Sequence, residues 1–176
     1  MGNAGLVLAI DPGVRGCGAA LFEHRMLVKA SYVANVAFKG EARAVEAAEM
    51  AEQVKRHFPL SLHAAVIEWP QVYAGAIRAG KSKADPNDLL ALTAVAGAIA
   101  TKYIGTEIFT VRPAEWKGQV PKSIVANRVW DCLEGVEVDV LKVASRDAGR
   151  LAHNIVDAVG IGLCYIGRWG IKWRSK

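Results

Sequence analysis

The chain has 176 residues, of which 52% are hydrophobic and 22% charged, with a formal net charge of +5. This length suits a single domain spanning residues 1–176 and leaves no room for two full-sized ones, and the balance is that of a globular chain, not a disordered or low-complexity one. A pI of about 9.2 suits a polyanionic partner, and three cysteines, Cys17, Cys132 and Cys164, odd in number and without metal-site spacing, argue against a disulfide framework and for reduced thiols in the cytoplasm.

Gly5 to Ile10 is a short apolar run that ends in Asp11-Pro12-Gly13, a strand entering a tight turn. Gly18 to Phe22 predicts a second strand, and Met26 to Val33 a third that closes an antiparallel meander. From Glu41 to Phe58, Val45, Ala48, Ala51, Val54 and Phe58 predict an amphipathic helix that covers one sheet face. His63 to Ile67 reads as a buried strand stopped at Glu68-Trp69-Pro70. Asp85-Pro86 opens a helix that runs to about Lys102, apolar almost all round and therefore expected to be covered on two sides. Its apolar core, Leu89 to Ala100, is shorter than the roughly 20 residues needed to cross a bilayer. Another strand, Glu107 to Val111, precedes a helix over Ser123 to Leu133 that turns Val125, Val129 and Trp130 inward, and a last helix covers Ala152 to Ile166. No element is assigned between Leu133 and Ala152. The sum is an α/β domain, a mixed sheet with helices on both faces. The N-terminus shows no basic segment followed by a hydrophobic stretch, and Leu6 stands where a myristoylation signal has Ser or Thr, so no membrane is expected.

Three acids interrupt apolar segments at places where a carboxylate is costly unless it is paired or binds a cation: Asp11 and Glu68 at strand ends, and Asp157 inside the last helix. Asp before Pro-Gly also suits a plain turn, and Glu at a strand end suits a sheet rim. Asp157 is harder to place structurally, because no Lys or Arg lies within a turn of it. Carboxylates brought together repel one another, and a hard divalent cation removes that penalty. Two such ions about 4 Å apart support in-line hydrolysis of a phosphodiester. His153, one turn before Asp157, and Asn154, three residues before it, are alternative additional members of the site.

These residues spell a pattern. Leu8-Ala9-Ile10-Asp11-Pro12-Gly13 followed by Gly16-Cys17-Gly18 resembles the first strand and turn of RuvC-type Holliday junction resolvases, and Val66-Ile67-Glu68 resembles their second acidic strand. His153-Asn154-Ile155-Val156-Asp157-Ala158 with Gly160-Ile161-Gly162-Leu163 is similar to their C-terminal acidic helix, in the form seen in phage-encoded relatives. The resemblance spans nearly the whole chain in order. It implies a ribonuclease H-like fold, a homodimer, Mg²⁺ with Mn²⁺ as an alternative, and paired nicks across a four-way DNA junction that leave 5′-phosphate and 3′-hydroxyl ends. It implies Asp11, Glu68 and Asp157 as metal ligands. The fourth position falls on Asn154 by spacing, while His153 has the more suitable chemistry.

Val111-Arg112-Pro113 with Trp116-Lys117 and Pro121-Lys122-Ser123 resembles the family's DNA-contacting stretch, which assigns Lys117 and Lys122 to phosphate. Tyr73, Arg78, Lys81 and Lys83 lie in a Gly-containing loop after Glu68 that would enter the junction, with Tyr73 stacking on a base. The Leu89 to Ala100 helix would supply the dimer contact. Three rival readings remain: an actin-like or sugar-kinase ATPase, whose two domains exceed this length; a broader nuclease of flaps and other branched DNA; and a junction-binding module without catalysis.

Overall fold

The structure is a computed structural model that describes residues 5–36, 43–59, 61–71, 86–118 and 120–169. Three strands come first, β1 (Val7–Asp11), β2 (Gly16–Glu23) and β3 (Met26–Ala34), followed by α1 (Arg43–His57) and β4 (Ala64–Glu68). Then come α2 (Pro86–Thr101), β5 (Glu107–Val111), the short α3 (Pro113–Trp116), α4 (Lys122–Asp131), α5 (Val136–Ala148), a 3₁₀ turn at Gly149–Leu151 and α6 (Ala152–Tyr165).

The strands form one sheet in the order β3-β2-β1-β4-β5. β1, β2 and β3 pair antiparallel, as the short turns between them require, while β4 lies parallel to β1 and β5 parallel to β4. Alternation along each strand divides the core. Leu8, Ile10, Ala19, Leu21, Ala65 and Ile67 face α1 and α2, together with Met50, Val54, Val95 and Ile99. Val7, Ala9, Ala20, Phe22, Ala64 and Val66 face α4, α5 and α6. Strands buried on both faces read as continuous apolar runs, and a mixed sheet with helices on both faces is the expected architecture.

Two local expectations are corrected. In α1 the buried stripe is Ala47, Met50, Ala51, Val54 and Phe58, while Val45 is 63% exposed and Ala48 is also exposed. Successive steps of three residues fall short of a full turn, so Val45 ends about 180° around the helix from Val54. Among the described residues of the single chain, α2 is covered on one side: Ala91, Val95, Ala96 and Ile99 are buried, but Leu90 is 69% exposed and Ala94 faces solvent. Val125 and Val129 of α4 are buried as expected, with Trp130 partly so.

α5 is an addition. It starts after Gly135 at φ +51° and ends at Gly149 at φ +55°, left-handed positions that favour glycine. Its buried stripe, Glu137, Leu141 and Ala144, begins with a charged residue, which hid it from a search for apolar periodicity. All three cysteines are free thiols. Among the described residues no helix is long and apolar enough to cross a membrane.

Candidate active site

β1 and β4 run parallel with Ile10 opposite Ile67, so Asp11 and Glu68 end neighbouring strands at the same edge of the sheet. β1 is also where the chain's order across the sheet turns, with β2 on one side and β4 on the other. The crevice beyond the carboxyl ends of strands at such a point is the usual binding place in open α/β sheets.

Gly18 pairs with Asp11 across the antiparallel ladder. A Cβ there would lie 1.9 Å from the carbonyl oxygen of Asn154 and 2.3 Å from its carbon, so only glycine lets the start of α6 rest on β2. That seat brings Asp157 into the same neighbourhood. We expect Gly18→Ala to lift α6 from the sheet and lower both thermal stability and activity; a wild-type melting temperature would mean that the helix is seated by other contacts.

The side chains of Glu68 and Asp157 are 14% and 19% exposed, and the ammonium of Lys117, 21% exposed, lies 3.3 Å from Glu68 Oε2 and 3.3 Å from Asp157 Oδ2. The Trp116 indole N–H donates to the same Glu68 Oε2 at 2.5 Å, and Lys117 Nζ sits 4.6 Å from the centroid of the Trp116 ring. Burial, then the charges of Glu68 and Asp157, push the Asp11 carboxyl well above its ordinary value against the opposing pull of Lys117 and Lys122. Burial also raises Glu68, although Lys117 and the Trp116 N–H hold it back. Lys117 is itself lowered by burial and raised more strongly by Glu68, Asp157 and Asp11, with a net upward shift. The centre is therefore short of positive charge. Among the described residues no group of three His, Cys, Asp or Glu side chains is arranged so that it could hold a metal ion as it stands; the cation bridging Glu68 and Asp157 is Lys117.

The remaining candidates are placed as follows. His153 is exposed, its ring Nδ1 3.2 Å from the Arg150 carbonyl oxygen. Asn154 is half-buried and its backbone carbonyl packs on Gly18. Lys122 is exposed at the first residue of α4, where its charge acts on Asp11. Tyr73, Arg78, Lys81 and Lys83 lie outside the described residues. Sequence reasoning missed Trp116, which it took only as the neighbour of Lys117. A tryptophan in a segment rich in polar residues was the available signal, but its acceptor lies 48 residues earlier.

No family model matches the chain, and no curated protein sequence matches it. Solved structures do. Thermus thermophilus RuvC in complex with a Holliday junction substrate is similar over 94% of this chain and 96% of its own, with 21% identity and a TM-score of 0.59. The T. thermophilus RuvC structure gives 17% identity, coverage of 94% and 97%, and a TM-score of 0.57. Ydc2, the yeast mitochondrial Holliday junction resolvase, gives 14% identity, coverage of 93% of this chain and 78% of its own, and a TM-score of 0.61. The chain has the fold of the RuvC and Ydc2 structures. On this fold, Asp11, Glu68 and Asp157 gather at the carboxyl edge of the central strands, and what they do there rests on their chemistry rather than on the likeness.

Proposed function

We propose that this chain, as a single nuclease domain over residues 1–176, is a structure-selective endodeoxyribonuclease that resolves four-way DNA junctions by paired symmetric nicks. The observation that carries the reading is the Lys117 ammonium bridging Glu68 and Asp157, with Asp11 at the end of the strand paired to that of Glu68. Carboxylates from two strands and a helix gather here without enough positive charge. Their oxygen donors fit a hard divalent cation such as Mg²⁺, or Mn²⁺, and not a soft metal that prefers thiolate. Asp11, Glu68 and Asp157 would hold it, and when bound it would lower the pKa of a water and offset the negative charge of the phosphodiester.

The chain's own groups do the rest. Lys117 and Lys122 hold the phosphate backbone that the acids would otherwise repel. His153 or Asn154 supplies the fourth position, as proton carrier or as ligand. Tyr73 stacks on a base of the open junction, and Arg78, Lys81 and Lys83 track its backbone. A homodimer through α2, whose Leu90 and Ala94 are uncovered, would match the two-fold symmetry of a four-way junction. The free thiols support a reducing, cytoplasmic setting.

The same lysine bridge also suits a second reading. Acids already partnered by an internal lysine are what a non-cleaving junction binder would also contain. Incubating the protein with a labelled four-way junction, a flap and a linear duplex, in Mg²⁺, Mn²⁺ or EDTA, decides. Symmetric metal-dependent nicks on the junction alone establish a resolvase, cutting of flaps as well makes it a broader branched-DNA nuclease, and binding without cutting makes it the inactive module.

Lys117 cannot hold phosphate and both acids at once. Lys117→Gln should therefore weaken junction binding, reduce the salt slope by about 1, and raise Mn²⁺ affinity in the DNA-free protein. Anisotropy titrations across salt concentration and paramagnetic resonance of free Mn²⁺ measure both. An unchanged salt slope would mean that Lys117 touches no phosphate.

A further inference from the structure

Glu68 and Asp157 sit on elements that share no ladder, one ending β4 and the other inside α6, so their separation has to be set by side-chain packing. Trp116 touches both elements. It is fully buried and its N–H donates to Glu68 Oε2 at 2.5 Å, within the range of charge-assisted bonds. Its ring leans on α6 at Gly160, three residues past Asp157, where an added Cβ would lie 2.6 Å from Trp116 Cζ3. On another side the Trp169 ring is 5.9 Å away, centroid to centroid.

The backbone under Trp116 is equally constrained. β5 pairs with β4 so that Val111 stands opposite Glu68, and the Trp69 N–H donates to the Val111 carbonyl at 2.7 Å. The next residue, Arg112, starts α3 with its N–H donating to Glu115 Oε2 at 2.8 Å, and proline follows at the first helical position. β4, through β5 and this capped turn, thus delivers the indole back to its own terminal carboxylate while the ring's far edge abuts the helix that carries Asp157.

We propose that Trp116 is a positioning residue of the nuclease site, pinning one oxygen of Glu68 and fixing the distance between the Glu68 and Asp157 carboxylates through its contact with Gly160. The inference rests on the metal-dependent nuclease reading above. An indole N–H is a donor only, so it orients an acceptor oxygen and never competes for a cation. Losing it leaves Glu68 Oε2, among the described residues, with the Lys117 ammonium alone, at 3.3 Å.

Trp116→Phe keeps an aromatic ring and removes the donor. A hydrogen bond to a charged group lost in this way corresponds to roughly a ten- to hundredfold effect. The turnover rate on a saturating four-way junction should fall by about that factor, with junction affinity unchanged and Mn²⁺ binding to the DNA-free protein weakened several-fold. Gly160→Ala, which leaves the N–H in place but pushes the ring, should shift Mn²⁺ affinity in the same direction. A purely structural tryptophan would lower the melting temperature and leave Mn²⁺ affinity at its wild-type value, and that result would overturn the proposal.

Should Trp116→Phe not fold, the assigned Trp116 indole N–H resonance of the intact protein gives the answer. It should move on addition of Mn²⁺ or diamagnetic Mg²⁺, and in Glu68→Gln; no movement in any of these overturns the proposal. Wild-type protein that binds no Mn²⁺ in a manner lost in Glu68→Gln would remove the nuclease reading itself. Wild-type binding matched by Trp116→Phe would remove only the role of the tryptophan.

Discussion

Asp11→Asn is expected to abolish junction cutting and, in the absence of metal, to make the protein more stable. The first effect follows from charge: losing one preorganised charge-stabilising group costs about 10²–10³-fold, and a neutral amide is also a poor ligand for a hard cation. Glu68→Gln and Asp157→Asn should act alike. Junction binding should survive in all three, since it depends on lysines. Retained cutting in any one would remove that residue from the site.

The stability effect follows from the pKa of Asp11. Burial, reinforced by Glu68 and Asp157, raises it well above the ordinary carboxyl value. The folded state then holds the proton more tightly than the unfolded chain, so stability falls as pH rises from about the unfolded value through the folded one and stays reduced above it. Above the folded value the whole penalty is present, and asparagine removes it. For a chain of this length each kcal/mol recovered raises the melting temperature by roughly 2–4 °C. Mg²⁺ should raise the melting temperature of the wild type by linkage and leave the variant unmoved. Calorimetry in EDTA and in Mg²⁺ separates the possibilities: a variant less stable than the wild type in EDTA would make Asp11 a turn-forming residue.

The second large effect lies at the opposite end of the sheet. Glu137, 1% exposed, accepts the Arg168 guanidinium at 2.6 and 2.8 Å and the backbone N–H groups of Leu27 at 2.6 Å and Glu134 at 3.1 Å. Arg168 also donates to the carbonyls of Arg25, at 2.9 Å, and Cys132. One ion pair therefore ties the β2–β3 turn, where His24 and Arg25 have φ of 49° and 69°, to the start of α5, the end of α4 and the segment after α6. Removing one partner of a buried pair costs about 3–5 kcal/mol because it strands the other charge.

Arg168→Ala should accordingly lower the melting temperature by about 6–20 °C. Adding Glu137→Gln should recover part of that loss by removing the stranded charge. A loss below about 1 kcal/mol, the level of an exposed pair, would show that water reaches Glu137.

Much of the fold was legible because its signals are local. Each strand is a short apolar run between turn residues, and Asp11, Glu68 and Asp157 were visible because a carboxylate breaks such a run. Their partners were not. Lys117 and Trp116 meet Glu68 and Asp157 only after β5 has paired with β4 and α6 has settled on Gly18, and nothing near them in sequence marks that meeting. α5 escaped for a related reason: its inward stripe starts with Glu137, whose counter-charge Arg168 is 31 residues away.

The sequence by itself determined the α/β class, most of the elements and the three acids that stand against their surroundings, because periodicity and burial cost are properties of neighbouring residues. Only the tertiary structure decided that Lys117 is the cation between two of those acids, that an indole holds one of them, and that a glutamate can lie in the core. Electrostatic and hydrogen-bond partners are chosen by distance in space, and the sheet order β3-β2-β1-β4-β5 sets those distances.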